Sequence, residues 1–142
     1  MQVLFFSSGN ARGGISPIVK RQGESLKKMG IHVDYFTVQG KGMKSYLKAG
    51  LRLRIFLQSR HYDLIHAHYG TSGMAALIGK SNIPVVISFM GDDIMGSHHA
   101  DGRVTFMSRL LVKLNKCLAK YMYHAAIVKS RQMKAKLGLD AV

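Results

Sequence analysis

Residues 63–93 read DLIHAHYGTSGMAALIGKSNIPVVISFMGDD, and this stretch decides the fold. Its first part, Asp63–His68, and its last part, Pro84–Met90, are short apolar runs of the kind that form buried strands. Thr71 or Ser72 can cap a helix between them. Two continuous apolar strands joined by a helical crossover predict parallel pairing in a sheet that is buried on both faces.

The rest of the chain repeats this alternation of strand and helix. Further strands are predicted at residues 2–7, 31–38 and 125–128, and further helices at residues 17–29, 44–59, 104–124 and 131–137. In the first two of these helices, the hydrophobic spacing predicts that the following side chains are buried: Ile18, Val19, Leu26, Met29, Leu47, Leu51 and Ile55. The alternation predicts an α/β fold with a doubly wound, mostly parallel sheet in one domain over residues 1–142.

The chain is strongly basic, with 21 lysines and arginines against 7 acidic residues and a formal net charge of +14. This charge favours anionic partners such as acidic lipid head groups, phosphorylated ligands or nucleic acid. A single cysteine, Cys117, excludes an internal disulfide framework and fits a reducing compartment. The sequence shows no secretory signal and no apolar run near the ~20 residues that span a bilayer. We therefore expect a cytoplasmic protein that is soluble or peripheral on the inner face of the membrane.

Polar residues and glycines follow the two strands of the deciding stretch. In parallel α/β sheets, ligands bind outside the carboxyl ends of the strands. We expect a substrate-binding site there, formed by the following residues: His66, His68, Tyr69, Gly70, Gly91, Asp92 and Asp93. A loop with Arg12, Gly13 and Gly14 lies between the first strand and a helix, where glycines let backbone approach a ligand and the helix N-terminus attracts anions. Its spacing is not G-x-G-x-x-G, and a tight turn is an equally supported alternative.

The histidines raise the question of a metal site. His66 and His68 are two apart in a predicted strand and therefore face the same side of the sheet. His98, His99 and Asp101 offer further ligating groups, but the spacing matches no metal motif, and we expect no metal. We expect one histidine of the pair to be packed or hydrogen-bonded at the sheet end and the other to point into the cleft. The paired aspartates after the fourth strand have the alternative role of capping a turn.

Seven basic side chains recur every three or four residues along two predicted helices. They are Lys44, Lys48, Arg52, Arg109, Lys113, Lys116 and Lys120. Residues 103–136 contain no acidic residue, whereas a solvated helix face usually carries both signs. We therefore predict that these seven side chains face an anionic membrane surface, where each charge contributes about 1 kcal/mol. Nucleic acid is a less favoured partner, because the chain has no aromatic-basic interleaving and no nucleic-acid motif.

Taken in order, several segments resemble the N-terminal half of a family 4 glycosyltransferase. They are Arg12–Ile15, Gly30–Val33, Asp63–Gly70, Pro84–Ser88 and Gly91–Asp93. The resemblance covers nearly the whole chain and implies a Rossmann-like domain, the N-terminal half of a two-domain GT-B fold. It also implies retaining transfer of a sugar from a nucleotide-sugar donor to a glycan or lipid-linked acceptor, without an essential metal or other cofactor.

The resemblance implies roles for residues at the strand ends. Gly13 and Gly14 would approach the donor phosphates across the cleft, and the end of the third strand would line the acceptor side. His68 and Asp93 are the candidates for a catalytic role. Many family members carry a histidine near the transferred sugar where this sequence has Met90, so the group that takes its part is an open question.

The nucleotide-binding C-terminal half of the family, with its Glu-x7-Glu signature, has no counterpart in these 142 residues. We therefore expect the sequence to be truncated before that domain, and the 142-residue chain to be inactive alone. Two alternatives remain open. One is half of a nucleotide-sugar epimerase with the same architecture, and the other is a basic α/β module that binds nucleic acid.

Overall fold

The computed structural model describes residues 1–97, 105–139 and 141–142. Five strands alternate with six helices in these ranges. In chain order they are β1 (Gln2–Ser8), α1 (Pro17–Lys28), β2 (His32–Val38), α2 (Met43–Phe56) with a 3-10 turn at Leu57–Ser59, β3 (Leu64–His68), α3 (Gly70–Gly79), β4 (Val85–Ser88), α4 (Asp92–Met95), α5 (Phe106–Tyr121), β5 (Ala125–Ile127) and α6 (Arg131–Leu137).

The strands form one parallel sheet in the order β2-β1-β3-β4-β5. This order confirms the predicted α/β fold and the parallel pairing of β3 with β4. At the β5 edge, the Val128 N–H donates to the carbonyl of Val142, and the Val142 N–H donates to that of Ala126, each at 3.0 Å. The last residue therefore continues the backbone pairing beyond β5.

Side chains of β1 alternate between the two faces of the sheet, and each face builds its own core. Leu4 and Phe6 belong to the larger core, which also takes Leu53 from α2 and the alanines of α3. Helix α3 is rich in small residues and lies very close to α2. A Cβ added at Gly79 would collide with the carbonyl oxygen of Gly50. Glycine on both helices therefore sets their separation.

The smaller core lies under α1 on the opposite face. It contains Val3 and Phe5 from β1, Val33 from β2 and Val19 from α1. The ring of Phe5 also contacts the rings of both β3 histidines, with centroids at 4.9 Å and 4.7 Å. Both β3 histidines therefore face the α1 side of the sheet. The prediction from their spacing, that they lie on the same side, is confirmed.

The predicted burial of the large side chains of α1 and α2 is only partly right. Val19 and Leu26 of α1 are at least partly buried, as predicted. The prediction is wrong for five others, which are exposed: Ile18, Met29, Leu47, Leu51 and Ile55. The physical reason in α2 is the close approach to α3, because the buried face of α2 consists of Ala49, Gly50 and Leu53, and small residues let the helix backbones come together.

The predicted boundaries agree with the observed ones to within a few residues; the predicted helix 104–124, for example, ends at Tyr121. The predicted second helix, 44–59, ends as a 3-10 turn, and the short helix α4 was not predicted. The predicted start of α5 at residue 104 lies outside the described residues. Within the described ranges, every helix is too short or too polar to cross a bilayer.

Two leucines of α2 test this assignment of its buried face. Leu53 is 0% exposed and Leu51 is 54% exposed, although they are close neighbours in the sequence. Replacing Leu53 by Ala should reduce the free energy of unfolding by about 2–5 kcal/mol, because it leaves a cavity in the larger core. Leu51→Ala should change it by no more than ~0.5 kcal/mol. Denaturant unfolding of both variants measures the difference, and equal losses would contradict this assignment.

Candidate functional site

The loops that follow β1, β3 and β4 leave the sheet at the same edge. Parallel pairing aligns the last residues of these strands, with Phe6 opposite Ala67 and His68 opposite Ser88. The glycine loop after β1, the Tyr69-Gly70 turn and the segment before α4 therefore lie along one rim. This rim is the edge at which the sequence predicts a site.

The Asp93 carboxylate joins two of these loops. It is 5% exposed and accepts hydrogen bonds from three backbone N–H groups. Those groups belong to Gly70 at 3.0 Å, Met90 at 3.0 Å and Gly91 at 2.9 Å. Both carboxylate oxygens are used, so Asp93 holds the loop after β4 against the N-terminus of α3.

Asn115 adds the long helix α5 to this arrangement. Its side-chain amide donates to the carbonyl oxygen of Asp93 at 2.8 Å, and the residue is buried. Gly70 packs directly against it, because a Cβ added at Gly70 would collide with the Asn115 amide. A side chain at position 70 would therefore separate α3 from α5, which explains the glycine there.

A polar cavity of about 190 Å³ opens beside this junction. The lining residues come from the turn after β3, from α4 and from α5. They are Tyr69, Thr71, Asp92, Asp93, Ser97, Thr105, Met107, Ser108, Leu111 and Asn115. Tyr69, Thr71 and Asp92 provide hydroxyl and carboxylate groups to this cavity, and these are hydrogen-bonding groups that a sugar requires.

Tyr69 stands at the mouth of this cavity in a strained conformation. Its φ of 80° is the only positive φ of a non-glycine residue within the described ranges. Such a conformation costs of order 1–3 kcal/mol and is found most often at functional sites. Partial burial raises the pKa of the Tyr69 hydroxyl, and the Asp93 and Asp92 carboxylates raise it further. The hydroxyl is therefore a neutral hydrogen-bonding group.

The glycine loop lies at the same edge and is held by a tight turn. The Gly14 N–H donates to the Ala11 carbonyl at 2.8 Å, and Gly13 and Gly14 have φ values of 90° and 89°. An added Cβ at either glycine would meet no atom within 4 Å. The requirement for glycine is therefore conformational, and Arg12 in the same turn is exposed. A turn and an open approach for a ligand, which the sequence offered as alternatives, are both compatible with this loop.

Asn10 connects the glycine loop to the loop before α2. Its side-chain amide donates to the Gly40 carbonyl at 2.6 Å and accepts from the Gly40 N–H at 3.1 Å. Neither Asn10 nor Asn115 was predicted to belong to the site. An asparagine at a strand end is a signal for Asn10, whereas the contact of Asn115 joins residues that are 22 positions apart and has no local signal.

His66 and His68 form a stacked pair inside the domain. Their ring centroids are 4.3 Å apart, and the residues are 5% and 2% exposed. His66 Nε2 lies 2.8 Å from the Ser88 hydroxyl, whereas neither ring nitrogen of His68 has a partner among the described residues. The expectation of one packed, hydrogen-bonded histidine at the sheet end is therefore right for His66. The expectation that the other points into the cleft is wrong, because His68 is buried as well. Both rings pack against Phe5 on the α1 side of the sheet, edge-on for His66 and tilted for His68, and this packing is the reason for their burial.

Burial also sets the charge of this pair. It lowers the pKa of His66 from its ordinary 6.5 to about 4 and that of His68 to about 3. The neighbouring His66 and Lys129 lower the pKa of His68 further. Both rings are therefore neutral at neutral pH. Their contact with substrate stays a prediction.

The described part of the chain contains no cluster of three or more His, Cys, Asp or Glu side chains that could hold a metal ion. His98, His99 and Asp101 lie outside the described residues. At the rim, the described residues provide glycines, the Tyr69 hydroxyl, the buried Asp93 carboxylate and the exposed Asp92 carboxylate.

The parallel sheet and its helices have the fold of one half of a solved GT-B protein. Sucrose-phosphate synthase from Thermosynechococcus elongatus matches 97% of this chain with a TM-score of 0.74 and 16% sequence identity. The chain spans 44% of the length of that solved protein. A substrate-binding protein with adhesive properties from Clostridium difficile matches 90% of this chain and 56% of its own length at 15% identity. Its TM-score of 0.46 is too low to indicate a shared fold.

The family follows from the sequence itself. The family model described as glycosyl transferase 4-like matches residues 15–130, which is more than half of the chain. The chain belongs to this glycosyl transferase 4-like family, and the resemblance stated from the motifs is confirmed. No curated protein sequence matches the chain significantly.

The two neighbouring aspartates test the role of the buried carboxylate. Asp93→Asn should lower the free energy of unfolding by about 1–3 kcal/mol, because an amide cannot accept from all three backbone donors and leaves buried N–H groups unsatisfied. Asp92→Asn, a change in the same loop at an exposed position, should change it by no more than ~0.5 kcal/mol. Denaturant unfolding at neutral pH compares them. A larger loss for Asp92→Asn would show that the junction does not depend on Asp93.

The buried histidines predict a loss of stability in acid. Because their pKa values are lower in the folded state than the ordinary 6.5, the unfolded chain binds more protons between about pH 6.5 and about pH 3–4. Stability should therefore fall as the pH falls through this window, by up to about 1.4 kcal/mol per pH unit for each histidine. Unfolding measured from about pH 7 to about pH 4 should show a smaller slope for His68→Gln. Equal slopes for the original protein and the His68→Gln variant would contradict the prediction.

Proposed function

We propose that this chain is the acceptor-side half of a glycosyltransferase. With a nucleotide-sugar-binding C-terminal domain, it transfers a sugar to a glycan or lipid-linked acceptor with retention of configuration and without a metal. The match to the glycosyl transferase 4-like family over residues 15–130 is the observation that carries this proposal. The rim with its glycine loop and polar cavity supports the same function.

The glycine loop is proposed to face the donor. An added Cβ at Gly13 or Gly14 would meet no atom within 4 Å, so a ligand can approach the backbone there, and Arg12 is exposed in the same turn. The loop leads into the N-terminus of α1 at Pro17, where unpaired N–H groups and the helix dipole favour a negative group. The diphosphate of a nucleotide sugar is the anion that this end of the rim would meet across the cleft.

The polar cavity is proposed to receive the acceptor. Tyr69 and Asp92 offer a neutral hydroxyl and an exposed carboxylate to sugar hydroxyls. Asp93 uses both carboxylate oxygens on backbone N–H groups, so its proposed role is to position this wall of the cavity. His68 remains the other catalytic candidate, because its ring nitrogens are without partners in the described residues. Met90, where many family members carry a histidine, packs on the α1-side core that includes Phe5. The His68 ring also contacts Phe5.

The basic rows of α2 and α5 are proposed to place the enzyme at an anionic membrane. All seven predicted side chains reach solvent to some extent: Lys44, Lys48, Arg52, Arg109, Lys113, Lys116 and Lys120. At about 1 kcal/mol for each charge near an anionic leaflet, such a set is sufficient for peripheral binding. A cytoplasmic enzyme could reach a lipid-linked acceptor in this way.

The function requires two halves of a cleft. Holding donor and acceptor in attack geometry can supply ~7–11 kcal/mol of the barrier. The 142-residue chain provides only the rim described above, so we propose that it does not transfer sugar alone.

Two glycines with the same strain test the donor-side role of the loop. Gly14 and Gly30 have φ values of 89° and 80°, and an added Cβ would meet nothing within 4 Å at either. Gly14 lies at the rim, whereas Gly30 precedes β2 at the opposite edge of the sheet. In the full-length protein, Gly14→Ala should lower kcat/KM for the nucleotide sugar roughly 100-fold, since small displacements at the reacting groups have effects of that size. Gly30→Ala should change it less than threefold.

The assay separates this function from its alternative. Formation of a glycosidic bond with the anomeric configuration of the donor, detected by NMR of the product, is the expected result. An epimerised nucleotide sugar without a new bond would contradict the proposal, as would robust transfer by the 142-residue chain.

A further inference from the structure

An apolar groove of about 460 Å³ runs between α2 and α5, with α3 as its floor. Its lining side chains are almost entirely hydrocarbon or thioether groups. They are Met43, Tyr46, Leu47, Thr71, Met74, Ala75, Leu77, Ile78, Leu114, Leu118 and Met122. Its volume lies within the ~300–1,000 Å³ of small-molecule sites. The groove lies beside the close contact of α2 with α3, and Leu47 of α2 is exposed along it.

Exposed apolar side chains extend both walls of the groove to the surface. Leu51 and Ile55 continue the wall on α2, and Met107 and Leu110 continue the wall on α5. These residues recur at helical spacings of three or four, so each set forms a continuous strip along its helix. An exposed apolar surface of this kind marks an interaction site.

The basic rows lie on the outer sides of these strips. On α5, Arg109 and Lys113 line a separate surface with Lys136 of α6, away from the groove. On α2, the Arg52 guanidinium lies 5.9 Å from the ring of Phe36 in β2, which is an edge strand of the sheet. Neither α2 nor α5 contains an acidic residue. The groove is therefore hydrocarbon in its centre and cationic along both borders.

The groove adjoins the polar cavity at the rim. Thr71 lines both of them, and Tyr69 precedes it at the mouth of the cavity. A molecule with a sugar or phosphate head and a hydrocarbon tail would place its two parts in two adjoining sites. Charge complementarity also favours such a molecule, because cationic borders suit an amphiphile whose head carries phosphate.

We propose that the groove binds the hydrocarbon chain of a lipid-linked, phosphate-bearing acceptor whose head lies in the polar cavity. The identity of the head as a sugar acceptor rests on the proposed function, whereas the binding of the chain does not. The groove selects for the tail, so chain length governs affinity. Each additional buried methylene contributes a few-fold in affinity.

A single tryptophan can report the occupation of the groove, because the chain contains none. Leu114→Trp places the reporter in the groove wall, and Ile18→Trp places a control at a similarly exposed position of α1 on the opposite face. The full-length protein, with any native tryptophan outside this domain replaced by Phe, is titrated with monomeric decyl phosphate and dodecyl phosphate. The emission of the Leu114→Trp protein should shift to the blue with saturation, and dodecyl phosphate should bind roughly tenfold more tightly than decyl phosphate. Inorganic phosphate should cause no shift.

Two further variants in the Leu114→Trp protein locate the binding. Leu47→Glu introduces a charge into the groove wall and should weaken dodecyl phosphate binding at least tenfold. Ile18→Glu is a change at a similarly exposed apolar position of α1, away from the groove, and should have less than a threefold effect.

Other results would overturn the proposal. No shift in the Leu114→Trp protein, equal shifts with both reporters, or equal effects of the two glutamates would show that the chain does not enter the groove. Sedimentation of the protein without alkyl phosphate tests whether a second copy covers this face, and self-association that Leu47→Glu abolishes would replace the proposal. Tail binding without any sugar transfer would remove the proposed function and leave the lipid site, whereas transfer to tailless acceptors only, without tail binding, would do the reverse.

Discussion

The Asp93 carboxylate is the constraint on which the rim depends. A buried carboxylate must be satisfied by donors, and here three backbone N–H groups from two loops supply them. Hydrogen bonds to a charged group contribute about 1.5–3 kcal/mol each, so the loop after β4 has little freedom relative to α3. Asn115 extends the same junction to α5. One side chain thereby fixes the polar cavity and the strained Tyr69 turn at its mouth.

Small residues of α3 determine how closely the neighbouring helices approach, and thereby which apolar side chains stay exposed. Gly70 allows the close contact with Asn115, and Gly79 allows the close approach of the α2 backbone. The gap between α2 and α3 is too narrow for large side chains. Leu47, Leu51 and Ile55 of α2 therefore face outward. The larger core therefore combines the sheet with the small residues of α3 and with Leu53 of α2. The apolar groove and its strips follow from that packing.

Local patterns in the sequence are sufficient to predict the sheet and the location of the site, but not the faces of the helices. Strands such as β3 and β4 are continuous apolar runs, and parallel pairing then places their polar ends at one edge. In α2, however, Leu47, Leu51 and Ile55 repeat with the spacing of a buried face, and only the approach of α3 shows that Ala49 and Gly50 occupy it. For Asp93, the predicted turn-capping role is right for the bonds from Met90 and Gly91. Its bond from Gly70 joins residues that are 23 positions apart and has no local signal in the sequence. The burial of His66 and His68 depends on Phe5, which lies far earlier in the chain.

The pairing of Val142 with β5 affects whether molecules can associate through the edges of their sheets. An unpaired strand edge is a template for cross-β aggregation. At one border of the sheet, β5 has only three residues, and Val142 already occupies part of its backbone. At the other border, the seven-residue β2 exposes His32 at its start and carries Asp34 within it, and polar groups of this kind oppose strand addition. The Asp34 charge therefore contributes to protecting the β2 border against the addition of a strand from another molecule.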